Sequence, residues 1–270
     1  MTELYLPGAD RSSQWYANKY RGVVWSDALY KCVWHTTEGT SWPGYSGGST
    51  APTITIDPRT EQIRQHFPAN MSSRALANLP GGVETNTDRA FQIEVISFSD
   101  RVLSDRYRGL WVGDFTEKHL AFLARIALWL NKHWGIPLAL VPKFTRNPRY
   151  GLSAPQRLSG QAYKAFRGHL PHASVPENSH WDTGALNLPQ VLRLAQGNSE
   201  EGGETDVALS EKDIEAIAAR INRTLGDYNA KGEKRDPNNP SPMMGNARLR
   251  QIEKTVQRLE AKLVKMEEDG

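Results

Sequence analysis

The run Phe91 to Phe98, FQIEVISF, most narrows what this chain can become. Its apolar residues are almost continuous, broken by Glu94, and such a run reads as a central strand covered on both faces. Other strands must therefore lie beside it, and helices must cover the sheet.

The flanking sequence supplies both. Asp27 to His35 (DALYKCVWH) reads as a strand ending at a histidine, followed by a long Gly/Ser/Pro loop. Pro52 to Asp57 (PTITID) reads as a second strand and EQIRQHF as a third, with the turn Asp57-Pro58-Arg59-Thr60 making them a hairpin. From Thr116 to Trp134, apolar residues recur at Leu120, Leu123, Ala127, Leu130 and Trp134, the spacing of an amphipathic helix, with Asp114 and Glu117 placed as its capping pair. A second helix is expected from Pro155 to Arg167, with Ser153 near its N-cap and Gly168 to stop it. The expected fold class is α/β, a mixed central β-sheet flanked by helices, with a C-terminal helical coiled-coil tail.

Near Gln196 the composition turns to Gly, Asn, Ser and Glu, so the globular domain is expected to span residues 1–196, with a linker over 197–209. A short amphipathic helix (Ile214, Ile217, Ile221, Leu225) is expected within 210–228, a second linker over 229–246 and a coiled coil over 247–270. In the last segment Leu249, Val256 and Leu263 take the a positions and Ile252, Leu259 and Met266 the d positions. Arg248 and Lys262 at g can face Glu253, Glu260 and Glu267 at e. A homo-oligomer through this tail is the expected consequence, raising avidity for a polymeric partner.

Residues 1–195 carry 21 basic and 15 acidic groups, a net +6, and the remainder carries 12 and 15, a net −3. That excess suits an anionic polymer but is too small and scattered for nucleic acid. The single cysteine, Cys32, excludes an intramolecular disulfide framework. Residues 1–10 lack the basic and apolar segments of a signal peptide, and no apolar run approaches the ~18 residues of a membrane span, so neither export by a leader nor stable membrane association is expected.

A catalytic zinc site usually takes three ligands from His, Asp, Glu or Cys and leaves one position open. His35 stands at a strand end, whereas His172, His180 and Asp182 share one distant loop. Cys32, three residues from His35, faces the other side of its strand. His169 is a reserve ligand at an expected helix C-terminus, and His66, His119 and His133 read as surface or packing residues. Spacing alone leaves these assignments open. Glu94, for instance, could as well be a structural carboxylate paired with Arg74 or Arg89.

Three segments, VWHTTEG, GGVETNTDRAFQIEV and HASVPENSHWDTGAL, resemble in order and spacing the type 2 N-acetylmuramoyl-L-alanine amidases, the family of peptidoglycan-recognition proteins. The look is nearest to amidase domains of endolysins from phages of actinobacteria, over residues 20–195. The resemblance implies zinc held by His35, His172 and Asp182, with Glu94 of the Ile93-Glu94 pair as general base. The family's last segment resembles Gly-His-Arg-Asp, then Lys-x-Asp-Pro-Gly. Here Ala173-Ser174 follows His172, His180 stands for the lysine and Thr183 for the proline. His180 is then the implied oxyanion donor, with the alternative that it binds the metal while Asp182 orients it.

The implied reaction is hydrolysis of the amide between N-acetylmuramic acid and L-alanine in bacterial peptidoglycan. The resemblance also implies a phage endolysin that waits in the host cytoplasm before reaching the cell wall. Trp42, Tyr45 and Trp181, with Trp34, flank the site and could stack on sugars or line a peptide groove, or simply pack. Two further readings compete: a non-catalytic peptidoglycan-binding module of the same fold, and a coiled-coil structural or virion-associated protein.

Overall fold

The computed structural model describes residues 3–200. The linkers, the amphipathic helix and the coiled coil expected beyond residue 200 lie outside the described residues. A five-stranded sheet organises the domain in the order β3-β2-β4-β1-β5. The strands are β1 (Lys31–Thr36), β2 (Ile54–Asp57), β3 (Gln62–Gln65), β4 (Ala90–Val95) and β5 (Gly168–Pro171). β1, β2, β4 and β5 pair in parallel, and β3 returns antiparallel to β2, so the sheet is mixed as expected.

The FQIEVISF segment does sit centrally, between β2 and β1. Its two faces differ, however. Phe91, Ile93 and Val95 join Cys32, Trp34, Ile54 and Ile56 in the main core, while Gln92 and Glu94 point to the opposite face. Helix α3 (Glu117–Trp134) covers the main-core face with Leu120, Leu123, Ala127, Leu130 and Trp134. Its cap is not the Asp114/Glu117 pair. Thr116 Oγ1 accepts from the His119 amide, and His119 Nδ1 accepts from the Thr116 amide, because those two residues are the ones three apart across the first turn.

Helix α5 (Leu188–Glu200), which the linker-like composition obscured, adds Leu188, Val191, Leu192 and Ala195 to the same core. Helix α2 (Arg101–Tyr107) is another short element that went unread, opened by the Asp100 carboxylate accepting from the Leu103 amide. A one-turn segment, α1 (Tyr45–Gly48), lies in the long loop after β1.

The helix expected from Pro155 to Arg167 is shorter, α4 (Gly160–Ala165), with Ser159 as its cap. Residues before it are held in turns instead. The Arg157 amide donates to the Ala154 carbonyl at 3.0 Å in a local turn, and the Leu158 amide donates to the distant Ser174 carbonyl at 3.0 Å where a helix would pair it with the carbonyl four residues before. Gly168 does not merely stop that helix; it begins β5, with φ +132° and a position where an added Cβ would stand 2.3 Å from the Ala139 carbonyl oxygen. Gly168→Ala is therefore expected to destabilise the domain by about 2 kcal/mol or more. Denaturant titration checks this, and an unchanged midpoint would contradict it.

Candidate metal centre

The register of the sheet aligns one row of side chains across the strands. Arg64 lies opposite Thr55, Thr55 opposite Glu94, and Glu94 opposite His35. Pro171 lies opposite Trp34, so the chain leaving β5 brings His172 to the level of His35. The row sits near the carboxyl ends of the parallel strands, where α/β sheets open their binding crevices.

His35 and His172 meet there, with their Nδ1 atoms 3.0 Å apart. Asp182 joins them because the Ala173 amide donates to the Asp182 carbonyl at 2.7 Å, closing the intervening loop. Its Oδ1 lies 3.1 Å from His172 Nδ1 and its Oδ2 lies 3.7 Å from His35 Nδ1. The Thr36 amide donates to Oδ2 at 3.3 Å. All three residues are buried, and one ligating atom from each lies within 4.8 Å of the others.

Electrostatics favours the ligating forms of His35 and Asp182. Burial first, then the His172 and His180 rings, hold the His35 imidazole well below its ordinary value despite the opposing pull of Asp182. Burial would raise Asp182, but attraction to His172, the hydrogen bond from that ring, and His35 and His180 together bring it to about 2. Two imidazole nitrogens and a carboxylate oxygen converge in a buried space, so the donor set fits a divalent metal ion.

Glu94 Oε2 is fully buried and has no hydrogen-bond partner among the described residues. Neither arginine weighed as its partner serves. Arg74 donates to the Ser49 carbonyl, and Arg89 pairs with Asp27. Burial, then the Asp182 and Glu38 carboxylates, push the Glu94 carboxyl well above the ordinary range. A carboxyl group with no cationic partner thus lies beside the metal-ligand cluster, and it holds its proton more tightly than an ordinary carboxylate.

His180 lies at the rim, its side chain 67% exposed and its Nδ1 4.0 Å from Asp182 Oδ1. Its ring stacks on His172 at a centroid distance of 5.0 Å. Among the described residues the converging trio thus contains Asp182 and not His180. His169 is turned away: it is buried in β5, accepts a hydrogen bond from Trp34 Nε1 at 3.2 Å, and burial lowers it to about 3. It is therefore no helix-terminal cation and no ligand. Trp34 belongs to the core.

Trp42 is partly buried beneath the Arg64 guanidinium, 4.2 Å from its ring centroid, and Trp181 is partly exposed. Tyr45 is tied into a directed chain. His66 Nδ1 donates to the Gln14 carbonyl, which leaves Nε2 to accept from Thr55 Oγ1, and Tyr45 Oη then donates to Thr55. His66 is consequently a buried structural histidine, lowered to about 4 by burial.

Two residues of the centre escaped sequence reasoning. Asn178 Oδ1 lies 2.9 Å from His172 Nε2. Arg157 holds the loop after β5 by donating to the Val175 carbonyl at 2.9 Å and to the His180 carbonyl. An asparagine in a turn-rich loop and an arginine at an expected helix start carry no distinguishing signal in one sequence.

No family model matches the chain, and no curated protein matches it. Solved structures do. Staphylococcus aureus hydrolase AmiA, in complex with its ligand, is similar over 73% of this chain and 85% of its own, at 10% identity and a TM-score of 0.43. The N-acetylmuramoyl-L-alanine amidase LysC from Clostridium intestinale URNW is similar over 64% of this chain and 87% of its own, at 12% identity and a TM-score of 0.37. The endolysin N-acetylmuramoyl-L-alanine amidase LysCS from the same organism covers 71% of this chain and 99% of its own, at 12% identity and a TM-score of 0.38.

Proposed function

We propose that this protein is a zinc-dependent N-acetylmuramoyl-L-alanine amidase of the endolysin type, cutting peptidoglycan between N-acetylmuramic acid and the L-alanine of the stem peptide. The observation that carries this reading is the buried trio His35, His172 and Asp182 beside Glu94, whose buried Oε2 has no hydrogen-bond partner among the described residues. Two nitrogens and one oxygen suit a zinc site with an open position. A zinc ion bound there supplies Lewis-acid polarisation of the scissile carbonyl and lowers the pKa of water towards ~7.

The chain's own groups then divide the remaining work. Glu94 takes a proton from the attacking water as its oxygen bonds to the carbonyl carbon, and gives that proton to the L-alanine nitrogen as the C–N bond breaks. His180, at the rim above His172, donates a hydrogen bond to the carbonyl oxygen as negative charge gathers on it. Trp42, Tyr45 and Trp181 line the approach for glycan or peptide. Mass spectrometry of digested peptidoglycan tests the bond: stem peptides with a free L-alanine amine are expected, and fragments cut within the glycan or the peptide would refute the reading.

His180→Ala is expected to keep zinc and lose turnover roughly 100-fold, as removal of one oxyanion donor typically does. The opposite pattern, zinc lost in His180→Ala and kept in Asp182→Ala, would exchange the two roles. Against the peptidoglycan-binding alternative, the three ligand candidates converge and Glu94 is the register neighbour of His35. No described helix is long and apolar enough to cross a membrane.

A further inference from the structure

Away from the metal ligands, two segments of the chain are fastened to each other beside the groove. The wall from Pro43 to Gly48 carries Tyr45 and is tightly bent: Tyr45 and Ser46 both hold φ +50°, followed by Gly47 at +68° and Gly48 at +99°. Side chains seldom adopt that region, so such a turn persists only where its surroundings impose it. Here the surroundings come from residues 14–19.

Three side chains of that segment donate to backbone carbonyls of the wall. Gln14 Nε2 donates to the Pro43 carbonyl at 2.7 Å, Lys19 Nζ to that of Gly47 at 3.0 Å and Tyr16 Oη, more weakly, to that of Gly44 at 3.4 Å. Gly48 lies against the Tyr16 ring, where an added Cβ would stand 2.5 Å from Cγ. The segment is itself moored to the sheet, because the Tyr16 amide donates to the His66 carbonyl at 2.9 Å and the Tyr16 ring stacks on His66. His66 Nδ1 in turn donates to the Gln14 carbonyl at 2.8 Å, and its Nε2 is joined through Thr55 to the Tyr45 hydroxyl. Thr55 is the register neighbour of Glu94, so Tyr45 is fastened to the face of the sheet that carries Glu94.

We infer that Gln14, Tyr16 and Lys19 are positioning residues, a clamp that holds the wall in its left-handed turn and keeps Tyr45 on the Glu94 face, and so sets how tightly the groove takes its substrate. They act through Tyr45. The consequence for substrate rests on the amidase reading, whereas the clamp itself does not.

The test uses the full-length protein carrying Gln14→Ala and Lys19→Ala together, which removes two bonds of the clamp and leaves the chain from His66 through Thr55 to Tyr45 in place. The Gly47, Thr50 and Ala51 amides, bonded to the Gly44, Tyr45 and Gly48 carbonyls, report on the turn directly. Their hydrogen exchange should speed up about 10-fold while the amides of β1 and β4 keep the parent's rates. With a soluble N-acetylmuramoyl peptide as substrate, KM should rise about 10-fold and kcat should stay within about twofold, the pattern of lost binding with intact chemistry. Unchanged exchange at the three amides, or faster exchange throughout the domain, would overturn the inference. So would a fall in kcat at constant KM. If the unsubstituted protein does not cleave that substrate, the proposed function fails while the exchange rates still decide whether the clamp holds the wall.

Discussion

Glu94→Gln is expected to cut peptidoglycan turnover by about 100-fold or more while the protein retains its zinc, because glutamine keeps the shape but cannot accept a proton. Near-normal activity would remove Glu94 from the chemistry. A second readout separates this role from simple packing. Burial and the Asp182 and Glu38 carboxylates raise the folded-state pKa of Glu94 above its ordinary value of 4.5. Between 4.5 and that raised value the folded state binds more protons than the unfolded one, so the penalty on folding grows as pH rises through this window. The metal-free Glu94→Gln variant should accordingly be more heat-stable than the parent at neutral pH, with the advantage vanishing below about pH 4. A stability difference that does not depend on pH would contradict the assigned environment.

Removal of the metal should have the larger effect. Prolonged chelation with verified loss of zinc is expected to lower wall lysis about 1,000-fold or more, because several kcal/mol of transition-state stabilisation accompany the ion. Returned zinc should restore it. Because the ion would bind the assembled trio and not the unfolded chain, its removal should also lower the thermal midpoint. Asp182→Ala should reproduce the loss of zinc. Undiminished lysis by verified metal-free protein would end the metalloenzyme reading altogether.

The same histidines were visible in the sequence with unequal clarity. His35 stood out because a strand of apolar residues ends on it before a glycine-rich loop, and local periodicity carries that information. Glu94 stood out for a related reason: a lone carboxylate in an apolar run either finds a partner or acts. Cys32 was correctly set aside, since alternation along the strand turns it to the helix-covered face. By contrast, β5 was hidden, as four residues containing glycine and proline resemble a helix stop and a turn. The early start given to α4 failed because the Leu158 amide pairs with the distant Ser174 carbonyl and the Arg157 amide closes a local turn.

What the sequence determined by itself was the mixed α/β sheet, the main helix α3, and the residue types able to hold a metal. These follow from periodicity and from side-chain chemistry, which act over a few neighbouring positions. Tertiary structure alone decided which candidates converge. The parallel register of β1 with β4 and β5 sets Glu94 and His172 at the level of His35, and the closed loop after β5 returns Asp182 to both. It also separated His180 from the trio, buried His169 behind Trp34 and placed Asn178 against His172. Such choices depend on strand register and long-range backbone hydrogen bonds, which pair residues far apart in the chain and leave no mark in local spacing.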